Sequence, residues 1–182
     1  MSCVIQSGYA IECRDSVGGV ETIWLIENAN LYDGQTCTVA YTDGVVTALD
    51  KLCDTQFWKF EVPRGTAFAT NGITASQENG TNYYTHEISF PINSRSATVR
   101  NIVTTLSKNR LTFVTKEGDG AYRMYGIQFG LQLDSTEAGS GTALGDRNGY
   151  MLKFSSMERE DFLIVPANIA ATLENAGTVG CI

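Results

Sequence analysis

A single helical stripe in a chain otherwise patterned for strands restricts what this sequence can fold into. Val99, Ile102, Val103 and Leu106 follow the i, i+3, i+4, i+7 spacing of one buried helix face. Ser94 or Ser96 can cap the N-terminus of that helix. Asn109 can close its C-terminus in a left-handed conformation, with Lys108 and Arg110 complementing the dipole. Elsewhere the apolar residues alternate. Tyr84, His86, Ile88, Phe90 and Ile92 fall on one face of a strand, and Tyr83, Thr85, Glu87 and Ser89 on the other. With 18 glycines and 3 prolines, the pattern is that of a turn-rich β protein. A chain of 182 residues fits one domain, here 1–182, that buries roughly 70% of its unfolded surface.

The turns divide the strands. Val17-Gly18-Gly19-Val20 separates two strands between Ile11 and Glu27, and Asp33-Gly34 turns the chain again. Thr36–Tyr41 and Val45–Leu49 are joined through Thr42-Asp43-Gly44, a hairpin signal. Phe57–Val62 stops at Pro63. A long hairpin is expected over Thr66–Ile92, with Asn79-Gly80 in a type I′ turn. His86 shares a mainly apolar face, so it is expected to be buried with its ring satisfied by hydrogen bonds.

After the helix, Leu111–Glu117 and Ala121–Leu133 form a second hairpin through Gly118-Asp119-Gly120. Tyr125, Ile127, Phe129, Leu131 and Leu133 are expected on its buried face. Gly126, Gln128, Gly130 and Gln132 then share the other face, small and neutral, either bare to solvent or packed against a neighbouring subunit or lining a channel. Asp134–Gly149 is expected as a long flexible loop, followed by strands over Tyr150–Ser156 and Phe162–Val165.

Charge is segregated. Residues 1–87 carry 11 acids and 4 bases, residues 88–116 no acids and 5 bases, and residues 117–182 carry 9 acids and 4 bases. The net charge of -7 argues against binding nucleic acid through phosphate contacts. Within the basic island, Arg100, Thr104 and Lys108 form one row on the helix face opposite the buried stripe. That row is either solvated or a docking ridge for an acidic partner.

No catalytic chemistry is legible. GxSxG, GxxxxGK[ST], HExxH and the dinucleotide fingerprint are all missing, and His86 is the only histidine available to a cysteine nucleophile. A non-enzyme without a cofactor is the expectation. The five cysteines (3, 13, 37, 53 and 181) are odd in number and irregularly spaced, a poor disulfide framework, so free thiols are expected. No CxxC or CxxH pair suggests zinc, and Asp134, Glu137, Asp146 and Asn148 match no EF-hand order. No apolar run is long enough to span a membrane, and no secretory signal is read at the N-terminus, so synthesis in a cytoplasm is expected.

The order of these elements, with Tyr125-Gly126-Ile127-Gln128-Phe129-Gly130-Leu131 and the run Gly139-Ser140-Gly141-Thr142-Ala143-Leu144-Gly145-Asp146-Arg147-Asn148-Gly149-Tyr150, resembles tail tube proteins of tailed bacteriophages, in particular those of phages of Bacteroidetes hosts. The resemblance spans nearly the whole chain and rests on turn and strand signatures. It implies a mainly β fold, two packed antiparallel sheets (a sandwich or partial barrel) flanked by one short α-helix. It also implies subunits in rings, usually hexameric, that stack into a tube through which DNA passes without specific binding. The implied location is the virion tail, made in the host bacterial cytoplasm. The implied partners are further copies of the chain, then sheath, tail terminator, baseplate and tape-measure proteins. Arg100, Thr104, Lys108, Gly126, Gln128, Gly130 and Gln132 are the candidate assembly contacts.

Two other readings use the same residues. One is a different β-sandwich virion component, such as a tail terminator, baseplate or head-decoration protein. The other is a carbohydrate-binding module stacking sugars on Trp24, Trp58, Tyr83 and Tyr84, although their placement inside strands points to the core.

Overall fold

The computed structural model describes residues 18–33 and 36–179. The first strands are β1 (Val20–Glu27), β2 (Tyr32–Asp33), β3 (Thr36–Cys37), β4 (Val39–Thr42), β5 (Val45–Leu49) and β6 (Trp58–Glu61). A long hairpin of β7 (Phe68–Ser76) and β8 (Thr81–Ile92) leads into helix α1 (Ala97–Leu106). Next come β9 (Leu111–Glu117), β10 (Tyr122–Tyr125), β11 (Gln132–Gly139), β12 (Gly149–Glu158), β13 (Leu163–Val165) and a short helix α2 (Ala167–Ala170). They build a seven-stranded sheet, ordered β4-β5-β13-β10-β9-β1-β6, and a four-stranded sheet, ordered β11-β12-β8-β7. Among these strands the pairings are antiparallel except for the contact of β13 with β5, through Ile164 and Val45; two further parallel bridges, Leu52 with Val179 and Cys53 with Gly177, lie outside the strands. The expected mainly β fold, two packed sheets flanked by a short helix, is therefore the fold observed. No helix among the described residues is long and apolar enough to cross a membrane.

Both faces of the seven-stranded sheet are covered, which explains why Ile23, Trp24, Leu25 and Ile26 are all buried in one strand. Ile23 and Leu25 point into the core between the sheets with Phe90, Phe113 and Phe154. Trp24 and Ile26 point to the far face, into a second core with Leu31, Phe57, Met124 and Leu173. In the first core the Phe113 and Phe154 rings lie 5.0 Å apart and Phe90 stacks on Phe154 at 5.9 Å. Such pairs add about 0.5–1.5 kcal/mol each beyond their burial. β8 passes from β10, where His86 meets the Tyr125 ring edge-on, to β6, where Phe90 meets Phe60. The strands of the two sheets thus cross rather than run side by side.

The helix and one turn match their sequence signals closely. Ser96 caps α1, its Oγ accepting from the Val99 amide at 3.3 Å. Val103 and Leu106 are buried, while Ile102 stays 38% exposed at the stripe's edge. Asp43 and Gly44 both take positive φ, 50° and 78°, as a two-residue hairpin turn requires.

Four expectations are corrected. Asn109 does not close α1 in a left-handed conformation, since Asp43 and Asp54 are the non-glycine residues with positive φ among those described. Its side chain instead donates to Glu27 Oε1 at 2.9 Å. The β7–β8 turn is a four-residue loop, 77–80, in which Gly80 but not Asn79 is left-handed. β11 runs on through Asp134–Gly139, paired to β12, so the expected long loop shrinks to 140–148. Asp146 ties that loop down, accepting from the Thr142 and Ala143 amides at 2.8 Å each.

The fourth correction matters most. The expected strand Ala121–Leu133 is two strands in different sheets, with residues 126–131 crossing between them. Gly126 and Gly130 turn the chain, at φ 75° and 73°. A Cβ on Gly126 would sit 2.2 Å from Leu131 Cδ1, and one on Gly130 would sit 2.9 Å from Arg110 Cβ. The crossing is pinned by paired backbone bonds between Leu111 and Leu131, of 2.9 and 2.7 Å. Gly126, Gln128, Gly130 and Gln132 therefore share no strand face, and Phe129, expected in the core, is 43% exposed.

Candidate assembly surfaces

Three surfaces and one buried polar cluster remain once the cores are accounted for. The first surface is the four-stranded sheet itself. β7 and β11 are its edges, and nearly every side chain on them is exposed. Register fixes which side chains face away from the core. Ser135, Lys153, Ser89 and Phe68 form one row across the sheet, and Gln132, Ser155, Glu87 and Thr70 the next. This face is rich in small hydroxyl groups. Its charged members on these strands are Glu87, paired to Lys153 at 3.1 Å, and Glu137 beside Met151. Long exposed edges are a liability that proteins blunt with charge or proline, or close by pairing. β7 carries neither charge nor proline, and β11 carries Asp134 and Glu137 but no proline.

The second surface is the ridge on α1. Arg100, Thr104 and Lys108 are all exposed, as the helical spacing predicts. Thr104 Oγ1 donates back to the Arg100 carbonyl at 2.9 Å. Neither Arg100 nor Lys108 makes an ion pair among the described residues.

The third surface is a groove of about 820 Å³ between α1 and the open edge of β6. Trp58, 62% exposed, and Ile102 line it, with Glu27 and Asp54 among its polar walls. Sequence placed Trp58 in the core because it lies in a strand, but that strand is an edge. Trp58 pairs with Leu25 while Trp24 pairs with Lys59, so the two indoles point to opposite faces. Trp24 is buried and donates to Glu174 at 2.9 Å. A shared sugar-stacking platform is not formed by these two rings.

The polar cluster sits behind the crossover. Glu158 is 3% exposed at the end of β12. Its carboxylate accepts from the amides of Gln128 (3.2 Å), Phe129 (3.1 Å) and Gly130 (3.2 Å). Burial pushes its pKa up, and the three amide bonds pull it partly back. Next to it, a cavity of about 10 Å³ is lined by His86, Glu158, Glu160 and Asp161. His86 is buried as expected, yet neither ring nitrogen has a hydrogen-bond partner among the described residues. The expectation of a satisfied ring is thus overturned. Its neighbours there are the Tyr125 ring, 5.4 Å away in edge geometry, and that small cavity, and the nearby Asp161 carboxylate is engaged by Asn71 at 2.7 Å.

Burial lowers the His86 pKa from 6.5, with Asp161 opposing weakly. An unfolded chain takes up this proton below about pH 6.5, whereas the folded chain resists until lower pH. Stability is therefore full above that value and is expected to fall as pH drops through it, by up to about 1.4 kcal/mol per pH unit. Urea unfolding between pH 7.5 and 5 checks this. His86→Leu should flatten the slope. Because Glu158 shifts stability in the opposite direction, the difference between the two profiles isolates the histidine. Parallel profiles would assign the proton elsewhere.

Cysteine chemistry also departs from expectation. Cys37 is a free thiol, but Cys53 is disulfide-bonded. Odd number and irregular spacing did not preclude a bridge, because spacing in sequence says little about distance in a folded β protein. Disulfides persist in oxidising settings, virion surfaces among them. Among the described residues, no group of three or more His, Cys, Asp or Glu side chains is arranged to hold a metal ion. Comparisons with protein-family models, with curated proteins and with solved structures found no match.

Proposed function

We propose that this chain is a structural subunit that assembles through its four-stranded sheet into closed rings, which stack as the tail tube of a bacteriophage. The observation that carries the reading is the pair of long open edges on one even-numbered antiparallel sheet. Strand direction alternates from β11 to β12 to β8 to β7, so β7 of one copy meets β11 of the next antiparallel. Joining two different edges is a head-to-tail contact, the kind that closes rings by rotation. Closure removes every exposed edge of that sheet.

Size and charge agree with a conduit. Six copies would supply about 24 strands, a barrel roughly 45 Å across between opposite backbones at ordinary strand spacing and tilt. The face of the sheet turned away from the core would line it. That face carries several Ser and Thr hydroxyls, and its one lysine, Lys153, is paired to Glu87, so it offers passing phosphates no cluster of cations. The seven-stranded sheet would lie outside, with the Arg100–Thr104–Lys108 ridge on the outer layer, available to an acidic partner such as a sheath.

Electron microscopy of purified protein should show rings or stacked tubes. Thr70→Glu with Thr74→Glu places carboxylates on the exposed side of β7, opposite the acidic β11, which carries Asp134 and Glu137. Assembly should weaken at least tenfold while the monomer keeps its fold. A protein that stays monomeric at high concentration, or rings unaffected by the double substitution, would count against edge pairing.

A further inference from the structure

The α1–β6 groove lies at one end of the seven-stranded sheet. Leu111, one of its walls, pairs with Glu27 on β1, and Trp58 at the start of β6 pairs with Leu25. The same end carries the start of β11, because Leu131 is bridged to Leu111. At the opposite end, Glu61 pairs with Thr22, and the chain leaves β6 through residues 62–67 to begin β7. The two open edges of the four-stranded sheet thus sit at opposite ends of the seven-stranded sheet, the groove at one and a turn at the other.

That turn is rigid and cationic. The Thr66 amide and hydroxyl both donate to the Pro63 carbonyl, at 3.2 and 2.6 Å, and Gly65 takes φ 73°. It presents Arg64, which makes no ion pair among the described residues. The carboxylate that Arg64 senses, Glu21, is already bound by Lys116 at 2.7 Å. The groove is complementary. Glu27 and Asp54 are exposed carboxylates in its walls, while its one cation, Lys59, is engaged by Glu61 at 3.0 Å. Trp58 supplies a flat apolar face suited to a proline ring or a guanidinium stack.

We infer that the groove is occupied by the Pro63–Thr66 turn of a second copy, with Arg64 facing Glu27 and Asp54 and the turn covering Trp58. This inference rests on the ring reading above. Pairing β7 of one copy with β11 of the next brings the end bearing the turn against the end bearing the groove. Pairing of one pair of edge strands buries too little to hold an obligate ring, for which interfaces of about 2,000 Å² or more are usual. The groove contact would add a second, side-chain-specific surface to the same interface, with Trp58 as its central aromatic anchor.

Trp58 reports on this directly, because the other tryptophan, Trp24, is buried in the far core. Assembly should shift Trp58 emission to shorter wavelength and protect it from acrylamide. Trp58→Phe should abolish both changes. Arg64→Glu should weaken assembly at least tenfold, and Glu27→Lys introduced with it should restore most of the loss. Rings in which Trp58 stays as quenchable as in the monomer, or charge reversals without effect on assembly, would overturn the groove contact while leaving the tube reading in place. A chain that never assembles would overturn both.

Discussion

Glu158→Leu should lower stability by about 3–5 kcal/mol and free the crossover between the two sheets. The carboxylate is the shared acceptor for three consecutive amides, those of Gln128, Phe129 and Gly130. Leucine fills similar space but leaves these donors, of which the Gly130 amide is buried and the other two part-buried, without their acceptor, at about 1–3 kcal/mol for each that stays buried. Part of that cost is offset, because the cost of burying the carboxylate, visible in its raised pKa, disappears with it. Glu158→Gln keeps one acceptor oxygen and should cost less than half as much. Urea midpoints measure the totals, and hydrogen exchange at residues 128–130 localises the effect. Because the crossover sets where β11 begins, Glu158→Leu should also impair ring assembly under conditions where the monomer is still folded. A cost below about 1 kcal/mol would mean that the crossover is held by its glycines and the Leu111–Leu131 bridge alone.

What the sequence disclosed, and what it hid, follows from the range of the interactions involved. Helix α1 was legible because its cap and stripe are local, all within Ser96–Leu106. The Asp43-Gly44 turn was legible because two positive φ angles suffice to make it. The single strand expected over Ala121–Leu133 failed because period-two alternation continued across a change of sheet. Tyr125 and Leu131 are both buried, but in a chain that bends twice between them. Alternation marks the two glycines as weak points of a strand; their use as positive-φ corners depends on Leu111 and Arg110, which lie outside the segment. Nothing in the segment around Trp58 says that β6 is an edge. Glu158 gave no signal either, standing in the polar run Ser155–Asp161 and distinguished from Glu160 only by three amides some thirty residues away. The candidate surface shifted accordingly: the helix ridge stayed where it was expected, while the Gly/Gln face was replaced by the outer face of β7, β8, β12 and β11.

Lys51→Met is expected to release the C-terminal segment of the chain, at a cost of about 3 kcal/mol. Lys51 is 4% exposed and makes no ion pair among the described residues; its Nζ donates to the carbonyls of Thr172 (2.8 Å), Leu173 (3.1 Å) and Asn175 (2.7 Å). These follow α2; the Thr172 and Leu173 carbonyls also accept from the Asn175 and Phe57 amides, at 3.1 Å each, and an ammonium with three protons can reach all three carbonyls. Such charged hydrogen bonds are worth about 1.5–3 kcal/mol each when measured singly, and they are not additive. Methionine matches the aliphatic stem but returns nothing to the carbonyls, and it removes the ammonium that lies 5.9 Å over the Phe57 ring. Burial lowers the lysine pKa, so some desolvation cost is recovered, which keeps the expected loss near 3 kcal/mol. The same segment is strapped a second time next to Cys53, whose amide donates to Val179 at 2.8 Å, while Gly177 donates to Thr55 at 2.7 Å. Lys51→Met should unfold at lower urea and become open to proteolysis beyond Pro166 well below its global midpoint. Equal protease resistance in wild type and variant would mean that the apolar seat of Ala170 and Leu173 holds the segment without the lysine.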